Sequence, residues 1–115
     1  MSDDIIDLNE VLERVQDDKE LLLELIGIFL GDCPAKLSAM KMAAEKKDFG
    51  QIKDLAHSLK GASANISAKK ISAIFLQIEQ MAKNNDAAST LQLLTQVNVQ
   101  IKDLENYLVK LKKGF

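Results

Sequence analysis

Apolar residues recur every three or four positions along most of this chain, which is the spacing of amphipathic helices. The pattern predicts a short helix over about 8–15, a long one over about 19–46, and three more over about 49–66, 69–83 and 87–112. No stretch shows the sustained apolar and polar alternation of a half-buried strand. The pattern therefore predicts an all-α protein.

The long second helix contains Pro34, and its apolar spacing continues past that residue. Because an interior proline removes one backbone hydrogen bond and pushes on the preceding turn, we expect a kink there. Two shorter helices that meet at Asp32 and Cys33 are the alternative. For the first helix, Asp7 or Asn9 could serve as the N-cap.

Four long helices joined by short turns make sequential neighbours antiparallel. We therefore expect an up-down-up-down four-helix bundle with a short N-terminal capping helix, and a single domain over residues 1–115. Apolar residues make up 47% of the chain and tryptophan is absent, so the core must be aliphatic.

The charges are mixed along the chain. Fourteen lysines and one arginine are interspersed with 17 acids, for a net charge of −2, so we expect no nucleic-acid partner. Cys33 is the only cysteine and lies on an apolar stripe, which predicts a buried thiol and fits a reducing cytoplasm. Neither a signal peptide nor a membrane-spanning run is evident, so we expect a cytoplasmic protein with no membrane partner.

The only histidine, His57, lies on the polar face of the third predicted helix. At about 100° per residue, the apolar residues of that helix gather on one side, whereas His57, Lys60, Gly61 and Ala64 project from the other. A surface histidine without a role is the simplest interpretation. However, glycine in mid-helix costs roughly 1 kcal/mol relative to alanine, and close approach by a partner would explain Gly61 better than helix stability does.

Several kinds of site are excluded by composition and spacing. One histidine and one inward-facing cysteine cannot form a zinc site, and no glycine-rich phosphate loop is present, so neither metal nor ATP binding is expected. A hydrolase that uses His57 as a general base would need a nucleophile nearby. Ser58 and Ser63, however, lie on other sides of the helix.

The run from His57 to Ile66, followed by Ala68, Ile71 and Gln77-Ile78-Glu79, resembles the signature of the histidine-containing phosphotransfer (HPt) domains of bacterial multistep phosphorelays. Similarity in residues 29–34, at 48 and 49, and in the last helix extends this resemblance over nearly the whole chain. One departure is Ser67, which stands where the family usually has glycine. Serine tolerates a left-handed backbone less well, so the junction that follows could differ here.

The resemblance implies that His57 accepts a phosphoryl group from an aspartyl phosphate on one receiver domain and passes it to another. It implies that Lys60 is the charge partner of that group, that Gly61 gives clearance, and that Glu79 bonds the imidazole. Independently, Glu79 falls at the edge of its helix's apolar stripe, from which it could face the third helix. We expect docking around His57, with Lys53, Gly61 and Ala64 at the rim.

The expected partners are receiver domains of response regulators or hybrid histidine kinases, bound transiently by a monomer. The resemblance implies no cofactor on this chain, because the divalent metal would belong to the receiver. It also implies a phosphotransfer intermediate rather than an enzyme. The alternative is an adaptor bundle that binds receivers without carrying phosphate, whose binding would survive His57→Ala.

Overall fold

The computed structural model describes residues 5–114, and these residues form five α-helices and no strand. In chain order the helices are α1 (Leu8–Arg14), α2 (Lys19–Glu45), α3 (Phe49–Asn65), α4 (Lys69–Lys83) and α5 (Ala87–Gly114). Around the bundle, α2 packs on α3, α3 on α4, α4 on α5 and α5 on α2. The prediction of an all-α fold is confirmed, with helix ends within two residues of those expected.

Aspartates begin four of the five helices. Asp7, Asp18 and Asp48 each accept a hydrogen bond from the backbone N–H three residues on, at 3.0 to 3.2 Å. Asp86 does the same for Ser89 at 2.9 Å, and this bond lowers the pKa of the Asp86 carboxyl. These side chains satisfy N–H groups that lack a partner within the helix. Of the two cap candidates for α1, the structure uses Asp7.

The turns between the long helices share one geometry. Their middle residues, Lys47, Ser67 and Asn85, have φ angles of 59°, 57° and 56°. In the α3–α4 turn the N–H of Ser67 donates to the Ala64 carbonyl, and the next N–H reaches back to Ser63, each at 3.0 Å. This is the Schellman pattern, which most often uses glycine. Serine therefore keeps the junction where the sequence predicts it, at a strain of about 1 kcal/mol.

The second helix runs from Lys19 to Glu45 without a break at Pro34, so the alternative of two helices is wrong. Cys33 lies on its buried face with no exposed surface, as predicted, and burial raises the pKa of its thiol to about 12. No helix within residues 5–114 is both long and apolar enough to cross a membrane.

The short α1 covers the end of the bundle at the α3–α4 turn. Ile6 and Val11 are fully buried there, and the N–H of Asp7 donates to the Ser67 carbonyl at 3.0 Å. Glu10 accepts a bond from the Ser67 hydroxyl at 2.8 Å and pairs with Lys69 at 2.7 Å. The left-handed turn is therefore held from outside by α1, which places this short helix beside the polar face of α3.

Candidate functional site

His57 projects from the middle of α3 into solvent. The residues that fix this orientation are Ile52, Ala56 and Leu59, which occupy the opposite face of the helix and are at most 1% exposed. Because those side chains anchor α3 to the core, the imidazole must point outward, and 70% of its side-chain surface is exposed. The ring is therefore open to a partner while its backbone is held rigidly.

Glu79 reaches the imidazole from the adjacent helix α4. Its neighbours Phe75 and Ile78 are fully buried, so Glu79 lies at the edge of the core with a side chain only 9% exposed. One carboxylate oxygen, Oε2, is 3.2 Å from Nδ1 of His57, and the other, Oε1, is 2.8 Å from Nζ of Lys60. A single carboxylate thus joins the ring to the cation one helical turn away.

The charge state of Glu79 follows from these contacts. The hydrogen bond from Lys60 lowers the pKa of the Glu79 carboxyl, and this effect outweighs burial, which raises it; the bond from His57 lowers it further. An ionised carboxylate can only accept hydrogen bonds, so Nδ1 must carry the proton in this contact. In the neutral tautomer with this proton on Nδ1, Nε2 is the ring nitrogen that carries a free lone pair.

Lys60 is held more firmly than its exposed position on the helical wheel suggested. Its side chain is 28% exposed, and its ammonium is bonded to Glu79 rather than being freely solvated. The backbone carbonyl of the same residue accepts bonds from the hydroxyls of Ser63 and Ser72, at 3.0 and 3.2 Å. Because Ser72 lies on α4, this second contact fixes α4 against α3 next to the site.

The surface around the ring is shallow and unobstructed. Apart from its two chain neighbours and the nearby backbone of α3, no atom lies within 4 Å of where a Cβ on Gly61 would be, so there is open space at this position. Lys53 and Ala64, on the same face of α3, are exposed. The three residues expected at the rim are therefore accessible, and their role in docking stays a prediction.

The two serines of α3 nearest to His57 in sequence do not lie at the imidazole as free nucleophiles. The Ser58 hydroxyl is bonded to Lys36 at 3.3 Å, and the Ser63 hydroxyl is buried and donates to backbone carbonyls. Between residues 5 and 114, no three His, Cys, Asp or Glu side chains gather in a way that could hold a metal ion. The hydroxyls of Ser58 and Ser63 are therefore not arranged for attack with His57 as a general base.

Two residues near the site were not singled out from the sequence. Arg14, at the end of α1, donates from Nη1 to the Ala64 carbonyl at 2.9 Å, and Leu76 on α4 exposes 43% of its surface nearby. That Arg14 is the chain's only arginine was a signal in the sequence. Its location at the end of α3 depends on how α1 folds over the bundle, which helical periodicity does not specify.

The model of the Hpt domain family matches residues 24–109 of this chain. Histidine-containing phosphotransfer proteins 2 and 5 of Arabidopsis thaliana are 26% and 25% identical to it over 102 residues, which cover 84% of this chain. The chain spans 65% of the length of each of these relatives.

Among solved structures, the fold is similar to that of histidine-containing phosphotransfer protein B from Pseudomonas aeruginosa PAO1. The TM-score is 0.86 and the match covers 98% of both chains, at 19% sequence identity. At that identity the likeness supports the fold of the bundle.

Proposed function

This chain belongs to the Hpt domain family, and we propose that it is a phosphorelay intermediate that carries a phosphoryl group on His57. The observation that carries the proposal is an imidazole 70% exposed, with Nδ1 held 3.2 Å from a nearly buried carboxylate. A ring held in this way has its reactive nitrogen free and its orientation fixed.

In the proposed reaction, Nε2 of His57 attacks the phosphorus of an aspartyl phosphate on a receiver domain. The new N–P bond forms as the O–P bond breaks, and the bonding electrons leave with the receiver's aspartate as a carboxylate. The Nδ1 proton stays on the ring, which gains positive charge as the bond forms. The Glu79 carboxylate stabilises that charge, and the reverse reaction on another receiver returns the ring to neutrality.

Lys60 has two acceptors available along this path. In the free protein it pairs with Glu79 at 2.8 Å, and the incoming phosphoryl oxygens offer a second, more highly charged acceptor. We expect the ammonium to turn partly toward the phosphoryl group once it is attached to His57. This movement would offset the phosphoryl charge without leaving Glu79 unpaired, since the ring itself then contacts Glu79 as a cation.

The partners in this proposal are receiver domains of response regulators or hybrid histidine kinases, which dock on a monomer around Lys53, Gly61 and Ala64. The divalent metal would belong to the receiver, so this chain needs no cofactor of its own. It would act as a phosphate carrier and not as an enzyme. A location in the cytoplasm stays a prediction from the sequence.

The adaptor alternative is not favoured by membership of the Hpt domain family. An adaptor would need an exposed surface but no oriented imidazole. The contacts of His57 and Lys60 with Glu79 would orient and charge-balance a transferring imidazole, a role that simple binding does not require.

The direct test is incubation of the purified chain with receiver domains that carry 32P on their aspartate. We expect label to move to the chain in a form that is stable in base and labile in acid, as a phosphoramidate is. The His57→Gln variant should lose all labelling and keep its helical circular dichroism, because the ring is solvated. Label of equal intensity in that variant would exclude His57 as the acceptor.

A further inference from the structure

A depression of about 320 Å³ lies beside the phosphotransfer site, where α1 meets α3 and α4. Its lining combines cationic, acidic and apolar side chains, including Glu10, Arg14, Lys60, Ala64, Lys69 and Leu76. We call it the α1 notch. Lys60 belongs both to this notch and to the contact with Glu79, so the notch continues the surface that presents His57.

The notch lies on the same side of the bundle as the imidazole. Ala64 is seven residues beyond His57, which on an α-helix is within about 20° of the same direction and about 10 Å along the axis. Arg14 bonds the carbonyl of Ala64 and therefore marks the far edge of this face. A receiver domain centred on His57 covers a patch of roughly 800 Å², which extends well beyond 10 Å from the ring.

Of the three cations that line the notch, Arg14 makes the longest ion pair. Lys60 is 2.8 Å from Glu79, and Lys69 is 2.7 Å from one oxygen of Glu10. The other oxygen of Glu10 accepts the Ser67 hydroxyl at 2.8 Å, and Arg14 reaches it only at 3.2 Å.

The guanidinium also has hydrogen-bonding capacity to spare. Arg14 uses Nη1 for the Ala64 carbonyl and Nη2 for Glu10, and 49% of its side chain is exposed. A guanidinium carries five N–H donors in a planar fork that suits a carboxylate. Leu76, 43% exposed at the same notch, adds an apolar contact next to it. Arginine is among the residues enriched at the energetic hot spots of protein interfaces.

We propose that the α1 notch receives a carboxylate side chain of the receiver domain, bound by the Arg14 guanidinium, and that this contact selects among receivers. The proposal rests on the proposed function and adds to it a specificity contact on α1, outside the chemistry at His57. The expected partner group is an aspartate or glutamate on the receiver surface, about 10 Å from the phosphorylated aspartate.

The competing explanation is that Arg14 only fastens α1 to the end of α3. It predicts that loss of the guanidinium and loss of Glu10 both slow labelling, because each removes a contact that holds α1 on the bundle: Arg14 bonds the Ala64 carbonyl, and Glu10 bonds Ser67 and Lys69. The docking proposal predicts opposite consequences. Glu10→Gln frees the guanidinium for a receiver carboxylate, whereas Arg14→Ala removes the group that binds it.

The experiment compares two phosphate donors on the same variants. One donor is a panel of 32P-labelled receiver domains from the same genome, and the other is phosphoramidate, a small donor that needs no docking. For Arg14→Ala we expect the ratio of receiver-dependent to phosphoramidate-dependent labelling rates to fall about 10-fold for the preferred receiver, with a weaker salt dependence. The ratio should change less for receivers that label the unsubstituted chain slowly. The difference in labelling rate between preferred and other receivers should therefore become smaller.

Two control variants and one rescue experiment distinguish a docking contact from a general effect of charge and from a loss of folding. Lys41→Ala removes an equal charge from the groove between α2 and α5, away from α3 and α4, and should leave the ratio unchanged. Glu10→Gln should not slow receiver-dependent labelling, although it weakens the hold on α1. Arg14→Glu should be rescued by one acid-to-lysine change on the receiver surface.

An unchanged ratio in Arg14→Ala, beside normal labelling of the unsubstituted chain, would overturn this assignment alone. Equal slowing in Arg14→Ala and Glu10→Gln would also overturn it, in favour of fastening. If no receiver labels the unsubstituted chain, the proposed function fails first and the assignment fails with it.

Discussion

Two carboxylates organise the polar side of this bundle, and they differ mainly in what surrounds them. Glu79 bridges His57 and Lys60 from a position only 9% exposed, and the imidazole it holds is open to solvent. Glu10 joins Lys69, Arg14 and the Ser67 hydroxyl from a side chain 33% exposed. Hydrogen bonds from cations lower the pKa of both carboxyls.

Cationic partners lower the pKa of a carboxyl whether or not an exposed imidazole is among the groups that it bonds. At Glu10 the bonded groups belong to the turn and the helix that it joins, so the result is a fastening of α1. At Glu79 one of the bonded groups is an exposed imidazole whose second ring nitrogen is the proposed nucleophile. Access to that nitrogen, and not the ion pair, is what distinguishes the two clusters.

The largest effect is expected from blocking access to the imidazole of His57. Gly61→Trp or Gly61→Lys places bulk one turn from His57, where a glycine now leaves space. We expect receiver-dependent labelling to fall at least about 100-fold, which corresponds to about 2.7 kcal/mol of lost transition-state binding. Phosphoramidate labelling, measured in parallel, should fall far less because a small donor still reaches the ring.

Gly61→Ala is the matched control for that prediction. Its Cβ would meet no other atom within 4 Å, and alanine is the better helix former by about 1 kcal/mol. The variant should melt at a higher temperature and retain most of its transfer rate. Normal receiver-dependent transfer in Gly61→Trp would refute the clearance role.

A smaller effect is expected from neutralising the Glu79 carboxylate. In Glu79→Gln the amide oxygen can still accept from Nδ1 of His57, but it cannot balance the charge on the ring or on Lys60. We expect the phosphoramidate labelling rate to fall about 10-fold while helicity is retained. Because phosphoramidate does not dock, an unchanged rate would show that the charge of Glu79 does not contribute to the chemistry.

The same carboxyl makes stability depend on pH. Its folded pKa is depressed below the ordinary value of 4.5, so its ionic contribution is present above that value and is lost as pH falls through the folded pKa. The free energy of unfolding should therefore decline on acidification below about pH 4.5, and decline less steeply in Glu79→Gln. Urea titrations at several pH values check the slope. Equal slopes in the two proteins would contradict the account.

The smallest effect is expected at the contacts of Glu10 that hold α1 on the α3–α4 turn, and Ser67 is the residue to change. Ser67→Ala loses the bond to Glu10 and keeps the left-handed backbone, whereas Ser67→Gly loses the bond and relieves the strain. We expect Ser67→Ala to be less stable than Ser67→Gly by about 1 kcal/mol in chemical denaturation. Transfer rates should be nearly the same in both. A marked loss of transfer in either would mean that Ser67 itself contributes to transfer, beyond the role proposed for Arg14.

Much of the fold could be predicted from the sequence because apolar spacing directly reflects helical faces. The same spacing placed His57, Lys60 and Gly61 on one open face and Glu79 at an edge facing α3. It could not show that Lys60 pairs with Glu79, because that distance depends on how α3 and α4 pack. The route of Arg14 to Ala64 depends likewise on a turn between α1 and α2 that helical periodicity does not describe.

The central claim is that His57 is phosphorylated on Nε2 while Nδ1 remains bonded to Glu79. Phosphorus and nitrogen NMR of the phosphorylated, 15N-histidine-labelled protein tests this directly, because coupling to phosphorus identifies the substituted ring nitrogen. The account predicts one phosphohistidine signal with phosphorus coupled to Nε2 and a proton retained on Nδ1. Phosphorus on Nδ1, or on any residue other than His57, would contradict it.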